Sequence, residues 1–198
     1  NKNYVGSIIW SHTAPANVSI KNTVFECRVG TYSNDELLLS PYAGEMSAVG
    51  IFLNRNIPTV TIGEASVNFQ NIFDNLLFGV LSVQSNFTLH NNLFQNIKFD
   101  AGSQSTNYEC DCRCPKGTAV CADGRSVSNG LLATIGGPGA ARNIETNSYG
   151  GFYLYRNMNA VITNNDMLNI ESNGMQLFQN YASNGFYDVN HNSLKDVQ

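Results

Sequence analysis

Apolar and polar residues alternate along this chain in short runs, and the runs recur. The strings VSIKNTVFEC from Val18, VTIGEASVNFQNI from Val60, FTLHNNLFQNI from Phe87, VITNNDMLNI from Val161 and YDVNHNSLKDV from Tyr187 share one pattern. Each reads apolar–x–apolar, then an Asn-rich corner, then a large apolar residue: Phe25, Phe69, Phe94, Met167 or Leu194. After all but Phe25, an Ile or Val follows three residues later. A Gly opening a short alternating stretch forms a second anchor, at Gly6, Gly50, Gly79, Gly151 and Gly174. Alternation of this kind is the period of a β-strand. No stretch carries a sustained i, i+3, i+4, i+7 stripe, which excludes helical repeats.

Self-similarity at a fixed period is the signature of a solenoid, whose unit buries its apolar face only when neighbours stack on it. Phe69 to Phe94 spans 25 residues and Met167 to Leu194 spans 27. The 73 residues from Phe94 to Met167 read as three further units, and the 44 from Phe25 to Phe69 as one unit with an insertion or two short ones. The pattern predicts a single all-β solenoid over residues 1–198, with about seven or eight coils of roughly 22–27 residues. The repeat is interrupted at about 31–49 and 100–128. The chain opens and closes inside repeat units, so the expectation is a segment of a longer rod.

The strings N-N-x-F-x-N-I at Asn91–Ile97, N-N-D-M-L-N-I at Asn164–Ile170 and N-H-N-S-L-K-D-V at Asn190–Val197 resemble the right-handed parallel β-helix, or pectin lyase-like, superfamily. The resemblance implies short parallel strands in every coil, an Asn ladder at a sharp turn and apolar ladders filling the cylinder. It says little about activity, because that superfamily includes lyases, hydrolases, isomerases, phage tailspikes and non-catalytic surface proteins. A leucine-rich repeat is the structural rival, but its inward positions would be mostly Leu. Here they are Ile, Val, Phe and Met.

Composition agrees with the strand reading. Asn occurs 28 times and Gly 17 times, while charged residues make up only 13%. Both favour turns and left-handed conformations over helix.

Cysteine usage adds a location. Cys110, Cys112, Cys114 and Cys121 crowd the loop YECDCRCPKGTAVCADG, and Cys27 stands apart at a coil corner. A Cys-rich insertion with few apolar residues is expected to be held by disulfides, as in secreted proteins. Four cysteines allow three pairings, which spacing does not choose among. A four-thiolate zinc site usually wants Cys pairs two to four residues apart, and single-residue spacings fit it poorly. Cys27 is either a buried thiol or a partner for one of the cluster. The sequons at Asn17 and Asn86, each just before a strand, are candidate N-glycosylation sites. The expected address is extracellular, secreted or at the cell surface.

Charge narrows the partners. The net charge of −4 and the absence of a basic cluster argue against nucleic acid. No apolar run is long enough to insert into a membrane. Lyases of the resembled superfamily use Ca²⁺ held by Asp with an Arg or Lys base, and its hydrolases use several Asp with a G-H-G segment. Here G-H-G is absent and Asp residues are scattered, so no catalytic residue, cofactor or metal ligand is assigned. By alternation Tyr153 and Tyr155 point away from Phe152 and Leu154, as an outward pair able to stack on sugar. Arg55 and Arg156 share a phase, five residues after Gly50 and Gly151. They read as an outward-facing pair, a candidate contact for a glycan or partner, the bland alternative being a solvated surface. The reading is a non-catalytic extracellular scaffold, adhesion or filament segment that contacts other copies, other extracellular proteins or carbohydrate. The alternatives are a polysaccharide-active lyase or glycoside hydrolase, or a glycan-binding module.

Overall fold

The computed structural model describes residues 5–10, 18–26, 49–54, 59–66, 68, 70–98, 114–115, 117–124, 131–156, 158–178 and 185–197. Its strands form three parallel sheets of six, and the chain visits the sheets in rotation. The first sheet holds β1 (Val5–Trp10), β4 (Val49–Asn54), β7 (Phe78–Val83), β10 (Thr118–Asp123), β13 (Gly150–Tyr155) and β16 (Met175–Phe178). The second holds β2 (Val18–Ile20), β5 (Val60–Ile62), β8 (Phe87–Leu89), β11 (Leu131–Gly136), β14 (Met158–Thr163) and β17 (Tyr187–Asn190). The third holds β3 (Val24–Glu26), β6 (Asn71–Asp74), β9 (Asn92–Gln95), β12 (Ile144–Ser148), β15 (Asp166–Ile170) and β18 (Ser193–Val197). Among the described strands all pairings are parallel and join rung to rung, the arrangement of a β-solenoid.

Register turns the repeated string into columns of like residues. In the third sheet the inward column runs Phe25, Phe73, Phe94, Glu145, Met167, Leu194. Phe25, Phe73 and Phe94 stack nearly parallel, with ring centroids 4.9 and 4.7 Å apart, matching the spacing of neighbouring strands. The Phe73 and Phe94 rings are each accommodated by a residue of the first sheet that has no side chain. A methyl group on Gly50 would stand 2.7 Å from the Phe73 ring, and one on Gly79 would stand 2.6 Å from the Phe94 ring. The Gly anchors indeed form one column, Gly6, Gly50, Gly79, Gly151 and Gly174, with Ala119 between Gly79 and Gly151.

Several expectations need correction. Phe73 holds the second rung of the aromatic column; the expected anchor Phe69 lies outside the described residues. The intervals along the column are 48, 21, 51, 22 and 27 residues. The span from Phe94 to Met167 is therefore two rungs, the first carrying an insertion, and not three. Its middle member is Glu145, a charged residue where the pattern demands an apolar one. The repeat in the fifth rung begins at Ala160 rather than Val161, because Ala160 pairs with Tyr187 and Val161 faces out with Asp188. A slip of one residue exchanges the two faces of a strand. Finally, β10 lies within the expected insertion 100–128 and is a full member of the first sheet.

The Asn residues serve two separate corners. At the corner between the second and third sheets, Asn71, Asn92, Asn143, Asn165 and Asn192 form a continuous ladder. The Nδ2 groups of the first four donate to the Oδ1 of the next rung at 2.9 Å. All five also donate to a carbonyl at or near the end of the second-sheet strand of the preceding rung, at Ile20, Ile62, Leu89, Ile135 and Ile162. The backbone N–H groups of Thr23, Asn92, Asn143 and Asn165 donate to the next Asn Oδ1. Burial of this corner therefore leaves these backbone groups satisfied. At the far end of the third sheet a second column, Asn75, Asn96, Asn147, Asn169 and Asp196, has φ of 53–56°. Asn and Asp tolerate that left-handed conformation better than most L-residues.

Candidate functional site

The face where sequence placed its outward pair is the outer side of the first sheet. Tyr153 and Tyr155 do point outward, opposite to the inward Phe152 and Leu154, but they are not exposed. Tyr153 is 2% and Tyr155 7% accessible, packed in a second apolar cluster with Val49, Phe78, Leu81, Val83, Cys114 and Cys121. The Tyr153 ring lies over Gly150, where a methyl group would come within 2.9 Å of it. Tyr155 contacts Phe178 on the next rung, with ring centroids 5.6 Å apart. The expected pair of surface tyrosines is thus corrected: alternation sets the side of the sheet, and the residues lying on that side set the exposure. β7, β10 and β13 are buried on both faces.

The Cys114–Cys121 disulfide is part of this cover, with Cα atoms 6.0 Å apart. Cys121 belongs to β10 and lies between Leu81 and Tyr153 in the outward column. The bridge ties the segment before β10 to the sheet, and two hydrogen bonds assist it. Gly117 N–H donates to the Leu77 carbonyl at 2.8 Å, and the Thr118 hydroxyl donates to the Pro115 carbonyl at 2.6 Å. With Cys114 and Cys121 joined, a site using all four clustered thiolates is not formed. Cys27, Cys110 and Cys112 lie outside the described residues, as do Asn17 and Arg55.

Arg156 closes the same face at its edge. Its Nε donates to Asp123 Oδ1 at 3.0 Å and its Nη2 to Asp123 Oδ2. Asp123 is almost completely enclosed while the guanidinium is about a quarter exposed. Sequence placed Arg156 as a free outward group and missed Asp123, which it had assigned to the loop. The clue was available once β10 is recognised, since Asp123 ends that strand beside Tyr155.

Asn86 is half-buried, and its Oδ1 accepts the Leu132 N–H at 2.8 Å. Asn159, two rungs along the same column, accepts the Phe186 N–H in the same way at 3.0 Å. The outward Thr88 is half-buried beside Thr61 and Thr134. His90 is half-buried, and burial lowers its pKa, partly offset by a hydrogen bond with the Gly136 backbone; its imidazole is neutral at pH 7. Among the described residues no three His, Cys, Asp or Glu side chains group as metal ligands, and no helix is long and apolar enough to cross a membrane.

The least expected side chain is Glu145. It is completely buried, neither carboxyl oxygen has a hydrogen-bond partner, and burial raises its pKa well above the ordinary value. No protein-family model matches the chain, and neither curated proteins nor solved structures give a match.

Proposed function

We propose that this chain is a non-catalytic scaffold segment of an extracellular, right-handed parallel β-helix protein related to the pectin lyase-like superfamily. The observation that carries the reading is the closed outer face of the first sheet across β7, β10 and β13. A face open to a polymer would expose polar and aromatic groups along a groove. This one packs Phe78, Leu81, Tyr153 and Tyr155 beneath the Cys114–Cys121 disulfide. Among the polar side chains that recur in step, the five ladder Asn residues point into the stack and bond rung to rung. A disulfide suits an oxidising compartment.

The glycan-binding alternative now rests on other residues than Tyr153 and Tyr155. Phe178 and Phe186 are 41% and 46% exposed, and exposed aromatic faces can stack on sugar rings.

The test is to incubate the purified chain with a panel of neutral and acidic polysaccharides, following reducing ends, unsaturated products and binding. The expected outcome is no turnover and no saturable binding, with the native protein recovered from the secreted or surface fraction. Catalytic release of oligosaccharide would overturn the scaffold reading. Saturable binding lost in Phe178→Ala or Phe186→Ala would replace it with the glycan-binding module.

A further inference from the structure

The interior column of the third sheet is apolar at every rung except one. Glu145 stands between Phe94 on β9 and Met167 on β15, where its neighbours fill the core with an aromatic ring and a thioether. No part of it reaches solvent. Its Oε2 lies beside the Gly151 backbone, where a methyl group would come within 3.0 Å. On the other sheets the rung that holds it carries Ala119, Ala122 and Ala133 beside Val120, Leu131 and Ile135, all buried in the same core. The Ser148 hydroxyl is its polar neighbour, yet that hydroxyl donates to the Thr146 carbonyl at 3.3 Å and neither carboxyl oxygen is hydrogen-bonded.

Charged groups on the surrounding elements do not compensate it. β9 and β11 carry none. On β15, Asp166 faces outward and pairs with Arg142 at 2.9 Å. On β10, Asp123 faces outward and is held by Arg156. On β13 the titratable groups are Tyr153 and Tyr155, on the outer side of the sheet. His90 sits at the corner beside Gly136, where burial lowers its pKa.

We propose that Glu145 is a proton-dependent lock inside the rod: as a neutral acid it completes the column between Phe94 and Met167, and losing its proton loosens the junction of β12 with β15. An unpaired carboxylate in an apolar interior is strongly unfavourable, so the folded chain holds the proton. In the unfolded chain the carboxyl titrates near its ordinary value of 4.5. Above that pH the unfolded state has released the proton and the folded state has not. Stability therefore falls as pH rises from about 4.5 towards the raised folded value, by up to about tenfold in the folding constant per pH unit, and levels off beyond it.

The experiment compares the full chain with Glu145→Gln and Glu145→Met by urea unfolding from about pH 5 to about pH 8, over which one such carboxyl changes the folding constant by up to about a thousandfold. The wild-type midpoint should drop relative to both variants as pH rises, while the variants share one shallower profile. Infrared spectra of the folded wild type at pH 7 should also show a protonated carboxylic acid band, absent from Glu145→Gln and lost in denaturant. Superimposable pH profiles, or no such band in the folded wild type, would overturn the proposal. The infrared measurement on the wild type decides the matter even where a variant fails to fold.

Discussion

At the scale of single residues, the recurring N-N-x-F-x-N-I separates into parts with different physical tasks. In Asn91–Ile97 the first Asn takes the left-handed corner at φ 53°. Asn92 enters the amide ladder, Phe94 fills the core, Asn96 makes the second left-handed corner, and Ile97 returns inward. Identical letters therefore have unequal costs of replacement. Asn143→Ala would leave the Asn92 backbone N–H and the Leu89 carbonyl without their partners, both at a buried corner. Each buried polar group left unsatisfied costs about 1–3 kcal/mol, so a loss of about 3 kcal/mol or more is expected in urea unfolding. Asn147→Gly, at φ 53°, should cost less than about 1 kcal/mol because glycine adopts that conformation freely. Equal losses at the two sites would contradict the division of tasks.

At the scale of elements, the pairing of small with large decides how the sheets meet. A methyl group on Gly79 would stand 2.6 Å from both the Phe94 ring and the Ala119 carbonyl. Gly79→Ala should therefore cost about 1–3 kcal/mol by overpacking, read as a lowered melting temperature. Adding Phe94→Leu should not restore it, because the contact with the Ala119 carbonyl remains; full restoration would show that the ring alone sets the constraint. The same pairing explains how much of the fold was legible. Strings with aromatic or branched residues at inward positions, as in β5, β8 and β17, announce their period. β10 and β12 do not, since Ala119, Ala122 and Glu145 occupy positions where the pattern leads one to look for bulk. The insertion between Phe94 and Glu145 made the span from Phe94 to Met167 read as three units, and the unrecognised rung sent Asp123 and Cys121 to a loop. The buried state of Tyr153 was illegible for another reason. Alternation reports which side of a strand a residue takes, and the cover comes from residues distant in sequence.

At the scale of the molecule, stability in a stack of this kind is a sum of rung and nearest-neighbour terms rather than the property of one central core. The rungs are not equal. Phe73 and Phe94 are stacked and fully buried, and the strands around them pair on both sides. In the sixth rung β16, β17 and β18 each pair with one neighbour, and Phe178, Val189 and Leu194 are 41%, 43% and 49% exposed. Local opening is easiest where few apolar groups are buried and backbone hydrogen bonds meet water. In the 198-residue chain, amide hydrogen exchange should therefore be slowest in β7, β8 and β9 and fastest among the described strands in the two end rungs, β1 to β3 and β16 to β18. The inward column makes the gradient specific. Met167 and Leu194 replace the rings of the earlier rungs, and Glu145 interrupts the apolar contact between the two groups. Protection should drop between β9 and β15 more steeply at pH 8 than at pH 5, because a proton on Glu145 holds the two stretches together. Uniform protection along the rod, or a gradient independent of pH, would mean that the rungs open as one unit and that the interior carboxyl does not divide them.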